Sequence, residues 1–187
     1  EKEALDLSKS IKWKKGITNS LLALAVSSMD ENNENEAITF SLQALNAAED
    51  IGNLKEIAFS HSVLSEAYRL LGDDSSAEIH ALKFLDIAHS MKNDALIASA
   101  EVTLIGNYIE GKKWNKADSL FPNALKLATA QENQNMISRL LWGKAEILEH
   151  EGKFKESIII VEKALPYYLK KSNYHPIAYS YSWLSNL

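Results

Sequence analysis

LKEIAFSHSVLSEAYRLLGDDSSAEIHALKFLDIAHSMKN, residues Leu54 to Asn93, reads as two helices joined by a tight turn. In its first half Ile57, Leu64, Tyr68 and Leu71 recur at i, i+7, i+11 and i+14, one apolar stripe at the α-helical period. In its second half Ala77, Ala81, Phe84 and Ala88 fall at i, i+4, i+7 and i+11. Small residues there let two helix backbones approach closely. Gly72 sits at the joint, where glycine adopts a left-handed conformation at little steric cost.

Displaced by 40 residues, the chain matches itself repeatedly. Ile17, Ile57, Ile97, Ile137 and Ile177 form one column, and Asn53, Asn93, Asn133 and Asn173 another. Ala37, Ala77, Ala117 and Ser157 form a column of small residues. Ala44, Phe84, Ala124 and Ala164 form the next, each followed by Leu. Asn32 and Gly152 share the joint column with Gly72, and Gly111 falls one residue early. The recurring Asn fits two roles, a left-handed helix end or the cap of the next helix.

The register predicts an all-α chain of about ten helices, near 1–14, 16–31, 34–51, 54–71, 74–91, 94–111, 114–131, 134–151, 154–171 and 175–187. They group into a single array: a partial unit 1–14, repeats 15–53, 54–93, 94–133 and 134–173, and a partial unit 174–187. Trp13 replaces the closing Asn and predicts a looser joint. Both ends fall inside a repeat, as expected of a fragment of a longer array. Pro122 and Pro166 lie inside predicted second helices and predict a kink or late start near the first and a kink near the second.

Composition narrows the function classes. The 187 residues are 46% hydrophobic and 24% charged, ordinary for a globular protein. With no Cys there is no disulfide, thiolate metal site or cysteine nucleophile, and the redox compartment stays undetermined. A net charge of −5 argues against a nucleic-acid partner. The apolar runs are too short and interrupted for membrane insertion. No signal peptide is visible and the chain does not begin with Met, which favours the cytoplasm over the periplasm or points to a trimmed fragment.

No catalytic, cofactor or metal constellation emerges. His61, His80, His89, His150 and His175 are scattered, with no metal-binding helix spacing, and read as surface or partly buried helix residues. Glu146 and Glu149 share a helix face at i, i+3 and read as solvated. Lys9, Lys12, Lys14 and Lys15 cluster around Trp13, which fits cations at a helix C-terminus better than an anionic partner. Trp114 and Phe154 occupy one turn position and read as structural plugs. Trp142 and Trp183 lie in successive first helices, where neighbour packing competes with a role as peptide anchors.

The pattern of Leu64-Ser65, Tyr68, Gly72, Ala77, Ala81 and Phe84 resembles the tetratricopeptide repeat, over essentially the whole chain. The period is longer than that repeat's usual ~34 residues, a variant similar to the repeats of kinesin light chain, of Rap-type peptide-sensing regulators and of sensor regions in bacterial signalling proteins. The resemblance implies a right-handed α-α superhelix whose first helices line a concave groove. By helical phase that groove would present Asn19, Leu22, Val26 and Met29, then Phe59, Glu66 and Arg69, then Val102, Gly106 and Ile109, then Arg139, Trp142 and Glu146, and finally Tyr179. The Lys/Arg/Asn clamp with which some such domains hold a C-terminal carboxylate is not reproduced. The expected function is a non-catalytic protein- or peptide-binding module of a larger bacterial signalling or transcription-regulatory protein. The alternative is a spacer or dimerisation module that self-associates through its terminal helices.

Overall fold

A computed structural model describes residues 1–170, with side chains through residue 165. Among the described residues the protein is all-α. The helices are α1 (Lys2–Ser10), α2 (Lys14–Asp30), α3 (Glu34–Glu49), α4 (Leu54–Leu71) and α5 (Asp74–Ser90), then α6 (Asp94–Glu110), α7 (Trp114–Ala130), α8 (Gln134–His150) and α9 (Phe154–Lys170). Asn173 and the tenth expected helix, with Tyr179 and Trp183, lie outside the described residues.

One turn recurs throughout. Lys12, Asn32, Gly52, Gly72, Lys92, Lys112, Glu132 and Gly152 all have positive φ, so a left-handed residue appears every 20 residues. The amide that follows reaches back to close the helix end, as from Asn33 to the Ser28 carbonyl at 2.8 Å and from Asp73 to Tyr68 at 2.9 Å. The 40-residue sequence period is thus two equal structural halves. Gly111 does not form its joint: the left-handed residue is Lys112, because the Lys113 amide closes onto the Tyr108 carbonyl at 2.7 Å and fixes the turn one residue later.

The turn also settles the Asn column. Asn53 is the N-cap of α4, its side-chain oxygen accepting from the amides of Lys55 and Glu56 at 3.1 and 3.4 Å. Asn93 does the same for Ala95 and Leu96, and Asn133 for Met136. Asn33 and Asp73 cap the second helices α3 and α5. Each cap contributes about 1 kcal/mol by satisfying an orphan amide. Trp13 makes no side-chain cap. Its ring lies over Gly16 instead, where an added Cβ would meet the indole at 2.1 Å. Around this joint α1 ends at Ser10, four residues before its expected limit of 14, because Ile11 and Lys12 make the turn.

Pro122 does not delay its helix: α7 starts at Trp114 and continues past it. The proline is exposed, so its ring lies on the solvent side of the helix. α9 likewise continues through position 166.

Internal contacts divide the chain into two compact units, Glu1–Leu96 and Ile97–Leu187. In the first, α2 packs on α3, α3 on α4 and α4 on α5, with α1 against α2 and α2 against α4. Leu5, Leu21, Leu22, Leu24, Ala25, Ala44 and Val63 make its core cluster. In the second, α7 packs on α8 and α8 on α9. Leu104, Leu140, Ile147 and Val161 are fully buried there.

The small-residue columns behave as their spacing predicts: Ala37, Ala77, Ala117 and Ser157 are all fully buried. Where a serine stands in the tight crossing it bonds across it. Ser65 donates to the Ala77 carbonyl at 2.9 Å, and at the equivalent crossing Ser157 donates to the Ala145 carbonyl at 3.0 Å. The first-helix stripe is displaced from its expected phase. Leu64 is buried but Leu71 is exposed, and the buried face of α4 is broadened by Ala58, His61 and Ala67 because α3 and α5 both pack against this helix.

Candidate functional site

Each unit has a groove between two first helices. In the first unit it is about 600 Å³, and its walls include Asn19, Leu22, Ala23, Val26 and Asp30 of α2 with Lys55, Glu56 and Phe59 of α4. Leu22 is buried and forms floor, whereas Val26 is 40% and Phe59 48% exposed. Exposed aliphatic and aromatic groups side by side carry a standing solvation cost that a ligand would remove. Lys15 lies 3.7 Å from Glu56 at the rim.

In the second unit a tighter hollow of about 150 Å³ lies between α6 and α8. Its lining includes Val102, Gly106, Ile109, Arg139, Trp142 and Glu146. The helices come close because Gly143 has no side chain: a Cβ there would meet Ile109 Cδ1 at 2.9 Å. Burial raises the Glu146 carboxyl above its usual range, opposed by a hydrogen bond from the Trp142 side chain and reinforced by the negative charges of Glu110 and Glu149.

The structure therefore gathers the sequence-selected residues into two groups, Asn19 with Phe59 and Val102 with Arg139, Trp142 and Glu146. Glu66 and Arg69 form a bidentate pair, with Arg69 Nε and Nη2 donating to the Glu66 carboxylate at 3.1 and 2.6 Å. Met29 is half-buried against the core cluster. Tyr179 lies outside the described residues.

One feature escaped the sequence. His61 and His80 meet across α4 and α5, Nδ1 to Nδ1 at 2.9 Å, so the proton sits on one ring and the lone pair on the other. Tyr68 stacks on His80 with ring centroids 5.4 Å apart. His61 is only 5% exposed. Burial, with His80 and Lys83 nearby, lowers its pKa to about 4, and burial beside Lys83 also lowers that of His80. The signal was present only as a contrast between copies. The equivalent pair is Leu21 and Phe40 one repeat earlier and Glu101 and Leu120 one repeat later. The Trp114 plug, meanwhile, stacks on His150 at 4.5 Å. Among the described residues no cluster of three or more His, Asp or Glu could hold a metal ion, and no helix is long and apolar enough to cross a membrane.

Solved structures share this arrangement. A Rap protein complexed with competence and sporulation factor superposes with a TM-score of 0.71 at 17% identity, over 97% of this chain and 55% of that one. The "kinesin light chain nearly identical TPR-like repeats" from Podosopora anserina superpose with a TM-score of 0.68 at 14% identity, over 90% of this chain and 87% of that one. The chain has the tetratricopeptide-like solenoid fold. A STAND signal-transduction ATPase with a tetratricopeptide repeat sensor, from Pyrococcus horikoshii, matches with a TM-score of 0.73 at 18% identity, over 89% of this chain and 27% of that protein. The tetratricopeptide-like chain thus spans about half of the Rap protein and about a quarter of the STAND protein. No protein-family model matches it, and no curated protein matches it.

Proposed function

We infer that this chain is a non-catalytic protein- or peptide-binding module, the sensor or scaffold region of a larger bacterial signalling or transcription-regulatory protein. The observation that carries this reading is the groove of the first unit, where Val26 and Phe59 stay exposed above a buried floor. A volume of about 600 Å³ lies within the ~300–1,000 Å³ range of ligand sites. An extended or helical segment laid along α2 would bury these side chains and leave the fold unchanged. Arg139 and Trp142 offer the second unit's hollow as a smaller anchor point. That one fold neighbour is complexed with competence and sporulation factor and another carries a tetratricopeptide repeat sensor agrees with this reading.

The spacer or dimerisation alternative draws on Ile79 and Leu82, which lie exposed on the second helix α5. A random dodecapeptide library panned on the purified chain separates the two. Binding through the grooves predicts peptides whose affinity falls at least tenfold with Phe59→Ala or Trp142→Ala and is unaffected by Ile79→Ala, with circular dichroism unchanged in all variants. Binders lost only with Ile79→Ala, together with a dimer that the same substitution dissociates, would favour the alternative.

A further inference from the structure

The first unit's groove is charged unevenly along its length. Asn19 and Asp30 lie on the same helix about 16 Å apart, so the groove has two distinguishable ends. α2 finishes at Asp30, its last turn carries no basic side chain, and Glu31 follows at once. The C-terminal end of a helix already bears partial negative charge, so two carboxylates there add to it rather than offset it. Beside this end a second hollow of about 390 Å³, sharing Glu1 and Ser27 with the groove, holds Glu1, Glu3, Glu31 and Glu36, with Lys2 as its basic side chain. Glu36 is held in position, its carboxylate accepting from Asn33 Nδ2 at 3.0 Å and Ser28 Oγ at 3.4 Å. The groove's other charged lining residues are Glu1, Glu56 and Lys55, with Lys15 3.7 Å from Glu56 at the rim.

We propose that the groove between α2 and α4 takes a peptide segment pairing an aliphatic or aromatic anchor with Lys or Arg, the anchor lying against Val26 and Phe59 and the cation reaching Asp30 and Glu31. This rests on the peptide-binding reading above and adds the chemistry of the ligand and its direction along the groove. The apolar contact supplies affinity, while the acidic end selects for charge and fixes orientation. Arginine gains most, because its planar fork can engage a carboxylate through two hydrogen bonds.

The test compares the dodecapeptide library on the wild-type chain with the library on the charge-reversed variant Asp30→Lys/Glu31→Lys, both sites being exposed. Wild-type binders that depend on Phe59 should be enriched in Lys or Arg near an apolar residue. A synthetic consensus peptide should weaken at least tenfold on the charge-reversed chain, and its Lys/Arg→Glu counterpart should gain there. Raising salt from 0.1 M to 1 M, which shortens the screening length from about 10 Å to about 3 Å, should shrink both effects. Phe59-dependent binders that are neutral or acidic, or indifferent to the reversal, would overturn this proposal and leave the peptide-binding function standing. No Phe59-dependent binder at all would overturn it too, and if Trp142-dependent binders were also absent the proposed function would fall with it.

Discussion

The two grooves occupy the same place on the repeat, 80 residues apart in register, yet one is about 600 Å³ and the other about 150 Å³. Phe59 of the first corresponds to Arg139 of the second, Ser62 to Trp142, and Val63 to Gly143. In the second unit the glycine lets α8 approach α6, and Trp142 lines the smaller hollow that remains. In the first unit Val63 is buried in the core and the exposed side chains are Val26 and Phe59. The columns that stay constant build the same helix pair twice, and the columns that change decide whether the space between first helices is open. Recognition is written in residues that the repeat does not need.

The core shows the same division. α5 places Ala81 beside Phe84, while α7 places Phe121 beside Ala124, so the bulky side chain moves by one column and the total is kept. Phe84→Ala should therefore give the largest effect, about 3–5 kcal/mol in denaturant unfolding of the first unit. The swap Ala81→Phe/Phe84→Ala should recover more than half of that loss. No recovery would mean that the two columns face different surroundings in the two units.

The units should also respond oppositely to acid. The folded state lowers the pKa of His61 to about 4 against about 6.5 unfolded. Between those values the unfolded chain binds more protons, so stability falls as pH drops from 6.5 to about 4. Protonation also places two N–H donors face to face at His61 and His80. Replacing the pair by its counterparts, His61→Leu/His80→Phe, should flatten that acid slope and raise the melting temperature at neutral pH. An unchanged slope would assign the acid sensitivity elsewhere.

Glu146 should give a smaller effect of the reverse sign. Its folded pKa is raised, so the folded state binds more protons and stability falls as pH rises from the ordinary carboxylate value through the folded one. Glu146→Gln removes the partly buried charge and keeps an acceptor for Trp142. It should raise the second unit's melting temperature at pH 7 and leave the first unit unaffected, and lowered stability would show that the charge itself is needed. Smallest of all, Gly143→Ala should shift unfolding by less than about 1 kcal/mol. The gain in helix propensity offsets the contact with Ile109, whose Cδ1 lies at the flexible end of its side chain.

Much of the scaffold was legible because repeats compare each position with itself. The buried alanines, the joint at Gly72 and the helix order all followed from the 40-residue register. The role of the Asn column was not, since a left-handed end and an N-cap demand the same residue, and only the side-chain bonds of Asn53, Asn93 and Asn133 decide between them. The left-handed residue is Lys112, at the register position, and not the neighbouring Gly111, because turn spacing outweighs residue preference. The His61–His80 contact was hidden because its partners are 19 residues apart on opposite sides of a turn, a separation that belongs to neither helix nor repeat. Helical phase brought Phe59 and Trp142 into grooves, but it could not tell that Glu66 and Arg69 bind each other or that Met29 packs on the core.

The central claim is that ligands lie against the variable faces of the first helices. Hydroxyl-radical footprinting with a library-selected peptide reads those side chains directly. The account predicts that Phe59 and Val26 lose reactivity when the peptide binds, while Ile79 and Leu82 on α5 keep theirs. Protection of Ile79 and Leu82 with Phe59 still reactive would contradict it.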